Sequence, residues 1–246
     1  MNDLLSKPLS QIVNEQRHAA SVFDKYALDY CCKGKRSLIQ ACRENNIPVN
    51  KVAAEIQYIY ANKKEELDFD KVKLYQLADY IAYHHHTYVK REMPKILSSL
   101  EKVVNKYGLR HNELYKISTL FVDLYNEMMH HVRNEEIILF PRIKQLEQNG
   151  FQPISFDIKY YQYLELPIID MEEEDEAADN KMTEIRKLSN QYMPPADSST
   201  IFKELYASLQ AFEIDLHHYV HLENNILFPK ALALEKECQR TDAEFE

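Results

Sequence analysis

Glycine and tryptophan are scarce in this chain of 246 residues, which has three glycines and no tryptophan. Tight turns between strands need positive φ angles, which glycine adopts most readily, so this scarcity argues against a sheet with many turns. The apolar runs are far shorter than the ~18 residues that a membrane-spanning helix needs. Residues 1–10 also lack the apolar core of a signal peptide. We therefore predict an all-helical protein that has no membrane partner.

Positive charge is also in short supply. The chain has 39 acidic and 30 basic residues, for a net charge of −9. The sequence has no cluster of basic residues. Such a composition disfavours nucleic-acid binding. The four cysteines, Cys31, Cys32, Cys42 and Cys238, lack the spacing of a disulfide framework. We expect a soluble protein of a reducing cytoplasm.

Two segments that lie 88 residues apart are near copies of each other. Residues 131–141 read HVRNEEIILFP, and residues 219–229 read YVHLENNILFP. In each copy a carboxylate, Glu135 or Glu223, follows a candidate ligand, His131 or Tyr219, by four residues. Residues four apart share one face of a helix, so each copy can direct two donors at one point. Two copies that face each other could enclose a pair of metal ions.

Helical periodicity divides the chain into a small N-terminal domain, residues 1–63, and a four-helix bundle, residues 71–240. In the first domain we predict helices over residues 9–26, 37–44 and 48–61. In the bundle we predict helices over 71–107, 112–147, 167–192 and 198–236, with a kink at Pro94 and an irregularity at Pro141. Long helices joined by short loops favour an up-down bundle. The aromatic-rich segment 149–166 fits a short packed helix, a lid, or a self-association surface such as that of a homodimer.

The inward stripes of the bundle helices are apolar except at five positions, which are His131, Glu135, Asp175, Tyr219 and Glu223. Buried carboxylates without partners cost several kcal/mol each, and no lysine or arginine lies on these stretches. A multivalent cation would compensate all of them together. A single histidine, or Tyr219 by itself, would be an ordinary core residue, but five polar groups at matching depth favour a metal site. On the first helix, periodicity fits His85 or His86 equally well.

Two motifs together carry a family resemblance. Residues 29–34 read DYCCKG, and the bundle that follows contains the repeated Glu and Leu-Phe-Pro pattern. With these motifs, nearly the whole chain resembles the iron–sulfur cluster repair di-iron proteins (the RIC family, ScdA/YtfE type). The resemblance implies a hemerythrin-like bundle with two non-haem iron ions bridged by carboxylates. It also implies a role in repairing iron–sulfur proteins damaged by nitrosative or oxidative stress, with nitric oxide, O₂ or peroxide as small ligands.

The family pattern has one histidine ligand on each bundle helix and two bridging glutamates. It implies His86, eight residues before Pro94, together with His131 and the bridging residues Glu135 and Glu223. Asp175 and Tyr219 stand where the family has histidine. The shell could therefore be asymmetric, hold a single ion, or hold another metal such as manganese or zinc.

The adjacent cysteines Cys31 and Cys32 precede a predicted helix, with Lys33, Lys35 and Arg36 close behind. Positive neighbours and a helix N-terminus favour reactive thiolates. The composition fits two small residues packed in a turn equally well. The resemblance favours a redox or metal-transfer role. We interpret the protein as a repair factor. The alternatives are a binding or sensor protein for O₂, nitric oxide or metal without repair activity, and a scaffold that has lost its metal site.

Overall fold

The computed structural model of the chain describes residues 2–62, 69–150 and 163–244. Most of these residues are helical, and no strand occurs among them apart from an isolated bridge between Pro8 and Ser37. The prediction of an all-helical fold is confirmed. None of the helices in these three ranges is long and apolar enough to cross a membrane. Residues 63–68, which include the stretch between the two predicted domains, and most of the aromatic segment 149–166 lie outside the described residues.

The chain forms two compact units. The smaller unit combines Met1–Lys73 with His217–Pro229, and the larger unit combines Leu74–Leu216 with Lys230–Glu246. This division places the second copy of the repeated sequence in the smaller unit and the first copy in the larger unit. Each unit is described by itself below.

Five helices surround one apolar core in the N-terminal part of the smaller unit. They are α1 Asn2–Ser6, α2 Leu9–Glu15, α3 Ala19–Lys25, α4 Leu38–Glu44 and α5 Val49–Asn62. The prediction of a single helix over residues 9–26 is wrong, because the chain is extended at Gln16 (φ −143°, ψ 77°) between α2 and α3. The helix predicted over 37–44 begins after Ser37, whose hydroxyl accepts the backbone N–H of Gln40 at 3.3 Å as an N-cap.

The larger unit holds the bundle. Its helices are α6 Leu74–Ile81, α7 Thr87–Tyr107, α8 Glu113–Asn134, α9 Phe140–Asn149, α10 Glu165–Leu188, α11 Thr200–Leu222 and α12 Phe228–Glu244, the last two of which also extend along the chain into segment 217–229. Helix α8 packs against α7 and α10. The rings of Phe121 on α8 and Phe212 on α11 pack edge to face in the interior, with their centroids 5.7 Å apart. Helix α7 continues through Pro94.

Three π-turns interrupt the long helices, at Ala82–His86, Glu135–Leu139 and Glu223–Leu227. The second and third occupy the same place in the two sequence copies. In each, the proline that follows has no N–H to donate, and the N–H before it reaches back five residues, from Phe140 to Glu135 and from Phe228 to Glu223. The irregularity predicted at Pro141 takes this form.

The repeat also extends to two carboxylates that hold helix starts within the larger unit. Glu147 and Glu235 each lie six residues after the proline of their copy. The two oxygens of Glu147 accept the backbone N–H groups of Leu74 and Tyr75, both at 2.9 Å. Both oxygens of Glu235 lie 3.1 Å from the N–H of Leu164. Each carboxylate therefore satisfies N–H groups that a helix start leaves without a helical partner.

The third bundle helix ends earlier than predicted. The sequence predicts residues 167–192, but α10 stops at Leu188. The next residues Asn190, Gln191 and Tyr192 all have left-handed φ angles, between 52° and 60°. This turn, and not Pro194, therefore terminates the helix.

Candidate metal centre

Four of the predicted ligands come together inside the larger unit. His86 is the last residue of the first π-turn, Glu135 is the first residue of the second, His131 lies on α8 and Asp175 on α10. His86, Glu135 and Asp175 are completely buried, and His131 is 2% exposed. Within this group the ligand atoms of His86 and Glu135 lie within 4.8 Å of each other, as do those of His131 and Asp175.

Glu135 lies at the middle of this cluster. Its Oε2 atom is 3.2 Å from Nε2 of His86 and 3.3 Å from Nε2 of His131. Nε2 of His131 also lies 3.5 Å from Oδ1 of Asp175. Two imidazole nitrogens and two carboxylates therefore face one small interior region.

An outer carboxylate holds the far nitrogen of each imidazole. Nδ1 of His86 lies 3.1 Å from Oε1 of Glu136, and Nδ1 of His131 lies 2.8 Å from Oε2 of Glu174. An ionised carboxylate can only accept a hydrogen bond, so Nδ1 carries the proton in both rings. Nε2 of each ring faces the buried carboxylate oxygens. This carboxylate–imidazole arrangement is the one that orients histidine ligands in metal sites.

The charges of the cluster influence one another strongly. Burial alone would lower the pKa of His131, but the carboxylates of Glu135 and Asp175 outweigh burial and hold that pKa well above its usual value. Burial alone would raise the pKa of Glu135, but the imidazoles of His131 and His86 keep it below its usual value. Without a cation, the protonated imidazole supplies the positive charge that the buried acids need.

This donor set fits a bound cation. Both oxygens of Glu135 are buried, and neither accepts a hydrogen bond of good geometry from the residues that the structure describes. Imidazole nitrogen and carboxylate oxygen are ligands of iron, manganese and zinc. A bound cation would replace the proton of His131 and coordinate the oxygens of Glu135.

An acidic groove leads to this cluster. It lies between α8 and α10, has a volume of about 610 Å³ and includes His131 in its lining. Its lining carboxylates are Glu127, Asp170, Glu173 and Glu174. Clefts lined by one sign of charge concentrate ions of the opposite sign, so the groove attracts cations towards His131.

The remaining candidate ligands lie in the smaller unit. Tyr219 and Glu223 belong to segment 217–229 and are completely buried. In that unit His217 and His218 contact the two oxygens of Asp24 at 3.1 and 3.3 Å.

Two further histidines have partners within their own units. His221, in the smaller unit, lies 2.8 Å from the side-chain oxygen of Asn14. His85, in the larger unit, lies 3.1 Å from Asp215, which leaves His86 as the histidine of its turn that approaches Glu135.

Sequence reasoning missed the outer carboxylates Glu136 and Glu174. Each immediately neighbours a predicted ligand in sequence, Glu135 or Asp175, and so lies about 100° away around the helix axis, at the edge of the inward stripe. A search for acidic residues beside the stripe could have found both. Their pairing with particular histidines depends on contacts between different helices.

The adjacent cysteines lie in a turn before α4. Cys31 is buried, Cys32 is partly exposed, and all four cysteines are thiols in the structure. Oδ1 of Asp29 accepts the backbone N–H groups of Cys31, Cys32 and Lys33 at 3.0–3.1 Å and the thiol of Cys31 at 3.4 Å. The turn is therefore organised around one carboxylate.

Imidazole and carboxylate donors inside a helical bundle are the arrangement of the class of helical-bundle proteins that bind cations. Comparison with known families agrees. Residues 77–231 match the hemerythrin HHE cation binding domain, and residues 5–60 match ScdA_N, a domain of unknown function (DUF542). The chain therefore belongs to the hemerythrin HHE family, and a ScdA_N domain precedes its bundle.

The curated relatives match along almost their whole length. A probable iron–sulfur cluster repair protein of Haemophilus influenzae is 30% identical over 226 residues, which cover 91% of this chain and 96% of the relative. The iron–sulfur cluster repair protein YtfE of Enterobacter sp. (strain 638) and that of Escherichia coli O81 are each 30% identical over 228 residues, or 92% of this chain and 97% of theirs. The resemblance stated from the motifs is thus confirmed.

Proposed function

We propose that this protein repairs iron–sulfur clusters damaged by nitrosative or oxidative stress and that it does so as a non-haem iron protein. The observation that carries the proposal is the convergence of His86, His131, Glu135 and Asp175 on one buried region, in a chain that also carries the adjacent cysteines Cys31 and Cys32. Relatives that match more than nine tenths of this chain are named iron–sulfur cluster repair proteins.

The proposed ligand set has six members. The larger unit supplies four of them, and the repeated sequence adds Glu223 as a second bridging carboxylate and Tyr219 as an oxygen donor. Two iron ions bridged by carboxylates are the occupants we propose, and a single ion, manganese or zinc are the alternatives that elemental analysis per chain distinguishes. When bound, iron supplies open coordination positions for nitric oxide, O₂ or peroxide and a one-electron redox couple.

The residues of the chain have separate tasks in this proposal. Glu136 and Glu174 orient the two imidazoles, and the apolar surroundings of Glu135 exclude water, which strengthens electrostatic interactions. The cysteine turn contacts the damaged client protein or passes iron to it. Because its cysteines are thiols, we place the protein in a reducing cytoplasm. Homodimer formation remains an untested prediction.

Tyr219 offers a spectroscopic test of the proposed ligand set. Tyrosinate bound to ferric iron gives a visible charge-transfer band, so the ferric protein should show a band that Tyr219→Phe abolishes. Tyr206→Phe is the matched control, because Tyr206 is a buried tyrosine on the same helix that is not a proposed ligand. A ferric spectrum that Tyr219→Phe leaves unchanged contradicts the ligation.

The alternative function is a binding or sensor protein for O₂, nitric oxide or metal that has no repair activity. One contact favours it, because the thiol of Cys31 donates to Asp29 and is therefore held in its protonated, less reactive form. A sensor needs only the buried donors of the bundle and makes no use of reactive thiols.

Complementation tests the proposal. In a bacterial strain that lacks its own repair protein, an iron–sulfur dehydratase is inactivated with nitric oxide and the recovery of its activity is followed. We expect the wild-type chain to restore recovery, and Glu135→Ala and the double variant Cys31→Ser, Cys32→Ser to lose it. His130→Ala is the control, because His130 neighbours His131 in sequence but is exposed.

Each outcome separates the functions. Recovery that depends on both Glu135 and the cysteines supports repair. If elemental analysis shows that the wild-type chain is loaded with metal and the chain still does not restore the activity of the dehydratase, the sensor function is supported. A metal-free chain with undiminished thermal stability indicates a scaffold.

A further inference from the structure

The two adjacent cysteines occupy different environments. Cys31 is 4% exposed, whereas Cys32 is partly exposed. The other two cysteines provide reference points, since Cys42 is 1% exposed and Cys238 is partly exposed. The exposure of Cys31 and Cys32 therefore differs about as much as that of Cys42 and Cys238, and we expect reagents to reach Cys32 more easily.

Asp29 engages Cys31 through its side chain as well as its backbone. The thiol of Cys31 donates to Oδ1 of Asp29 at 3.4 Å, and the same oxygen accepts the N–H of Cys31 at 3.1 Å. Ionised sulfur at this place would face a carboxylate of like charge, so the contact favours the protonated thiol. The backbone N–H of Cys32 donates to the same oxygen of Asp29, at 3.0 Å.

The backbone around Cys31 is also engaged within the smaller unit. The side-chain amide of Asn225 donates to the carbonyl of Cys31 at 3.1 Å. The preceding residue, Tyr30, is completely buried, and its ring meets that of His221 edge to face at 5.5 Å. A Cβ atom at Gly34 would collide with the carbonyl of Tyr30, so only glycine closes the turn. These contacts join the cysteine turn to the π-turn that begins at Glu223.

Two exposed lysines follow Cys32 in the sequence. Lys33, the next residue, and Lys35 are both exposed. They contrast with the chain as a whole, which carries a net charge of −9. Exposed lysines next to a partly exposed thiol in the sequence favour the approach of anionic reaction partners.

We propose that Cys32 alone is the reacting thiol of the pair, that Lys33 and Lys35 attract an anionic iron–thiolate cluster to it, and that Cys31 anchors the turn. The inference deepens the proposed repair function, on which its choice of substrate rests. Clusters held by cysteine thiolates are anionic, because the charges of the sulfides and thiolates exceed those of the iron ions. The step is a ligand exchange without a change in oxidation state. The sulfur of Cys32 binds iron, one thiolate ligand leaves, and that thiolate takes the proton from Cys32.

Alkylation of the reduced, full-length protein with N-ethylmaleimide tests the division of roles. Cys32→Ser reports the rate at Cys31, and Cys31→Ser reports the rate at Cys32, with sites assigned by tandem mass spectrometry. We expect Cys32 to react at least about tenfold faster than Cys31, as access and thiolate character require. In the same samples Cys42 gives the rate of a buried thiol and Cys238 that of a partly exposed one.

Removal of the Asp29 side chain tests why the alkylation rates of Cys31 and Cys32 differ. In Asp29→Ala the rate at Cys31 should rise towards that of Cys32. Glu15→Ala, which changes an exposed acid of the same unit that contacts Lys7 and Gln11, should leave the rate at Cys31 low. In guanidinium all four thiols should react at similar rates, which shows that the native difference comes from the fold. Equal native rates at Cys31 and Cys32, or a faster rate at Cys31, would overturn the proposal.

A charged thiol reagent tests the role of the lysines. The dianionic disulfide 5,5′-dithiobis(2-nitrobenzoate) reacts when a thiolate attacks one of its sulfurs and releases the other as an aromatic thiolate. In the double variant Lys33→Glu, Lys35→Glu we expect its rate at Cys32 to fall about threefold or more at low salt, while the rate of neutral N-ethylmaleimide changes much less. The double variant Lys102→Glu, Lys203→Glu is the matched charge change, at two exposed helix positions. Equal effects on the two reagents would overturn the attraction of anions.

Complementation keeps this inference distinct from the proposed function. Loss of repair in Cys32→Ser but not in Cys31→Ser supports both. If neither substitution affects repair although the alkylation rates differ as expected, the cysteines have no part in the proposed repair while their unequal environments stand. If Cys31→Ser alone abolishes repair, the assignment of roles within the pair is wrong.

Discussion

The outer carboxylates are the residues whose roles emerge most directly from distances. Glu174 lies 2.8 Å from Nδ1 of His131, and its neighbour Glu173 has an exposed side chain. Removal of a carboxylate that orients a histidine ligand typically costs about 10–100-fold in metal affinity. We therefore expect Glu174→Ala to weaken metal binding by about 10–100-fold, as measured by competition with a chelator of known affinity.

Glu173→Ala is the control for this prediction. It removes the same charge from the same groove but leaves His131 and its hydrogen bond in place. Similar losses of affinity in the two variants would mean that the carboxylates act only through the field of the groove and not by orienting the ring.

Glu235 predicts a pH dependence of stability. It is 4% exposed, and burial raises its pKa despite the N–H of Leu164 and the charge of Arg142, which lower it. A carboxyl whose pKa is raised by folding stabilises the fold when protonated, and that stabilisation is lost as pH rises through the folded-state pKa. Glu235→Gln cannot ionise, so relative to wild type it should gain stability between about pH 4 and pH 7.

Urea unfolding of both proteins across this range measures the effect. The control is Glu237→Gln, which changes an exposed carboxylate two residues away. A difference between Glu235→Gln and wild type that stays constant, or that shrinks as pH rises, would contradict the assignment.

At the scale of secondary structure, the π-turns explain why helical periodicity misplaces one residue. A regular helical period through His131 and Glu135 places Ile138 on the same inward face, three residues after Glu135. In the structure Ile138 is 37% exposed, and Leu139 is buried in its place. The turn at Glu135–Leu139 inserts one extra residue, which advances every later position by one. His131 precedes the turn and Glu135 is its first residue, so both keep their predicted face and are buried as expected.

The left-handed turn after α10 predicts an unusual effect of glycine. Gln191 is exposed and has a φ of 60°, a conformation that costs a residue with a Cβ about 1–2 kcal/mol. Glycine adopts it without that cost, although it loses more entropy on folding. We expect Gln191→Gly to raise the free energy of unfolding by about 0.5–1 kcal/mol in urea titrations.

The same substitution in a regular helix should have the opposite sign. Gln210 is exposed within α11, where Gln210→Gly should lower the free energy of unfolding by about 0.5–1 kcal/mol. If both variants are destabilised alike, the turn is not held in the left-handed conformation.

For the whole molecule, metal binding should be a large part of stability. A ligand that binds only the folded state adds about 2.7 kcal/mol at a concentration of 100 times its dissociation constant. In a chain of this length that corresponds to a rise in Tm of about 5–10 °C. We expect ferrous iron, added anaerobically to chelator-treated protein, to raise Tm by this amount in scanning calorimetry.

Variants of the buried cluster locate that stabilisation. Glu135→Ala should remove most of the rise, and His130→Ala should retain it, because His130 is exposed and contacts Asn134. A rise in Tm that survives Glu135→Ala would place the stabilising ion elsewhere.

The sequence by itself determined the helical class, the duplication and the types of donor. Few glycines exclude a turn-rich sheet, and the repeated spacing of Glu135 and Glu223 from His131 and Tyr219 depends only on the geometry of a helix. These inferences succeed because they rest on local backbone sterics and on the period of one element.

Only the tertiary structure decided which groups meet. Periodicity fitted His85 and His86 equally, and the contact of His86 with Glu135 distinguishes them because it joins residues 49 positions apart. The outer carboxylates and the unequal environments of Cys31 and Cys32 likewise arise from contacts across elements. The periodicity of one segment of the sequence carries no information about such partners, because packing between helices sets the distances between them.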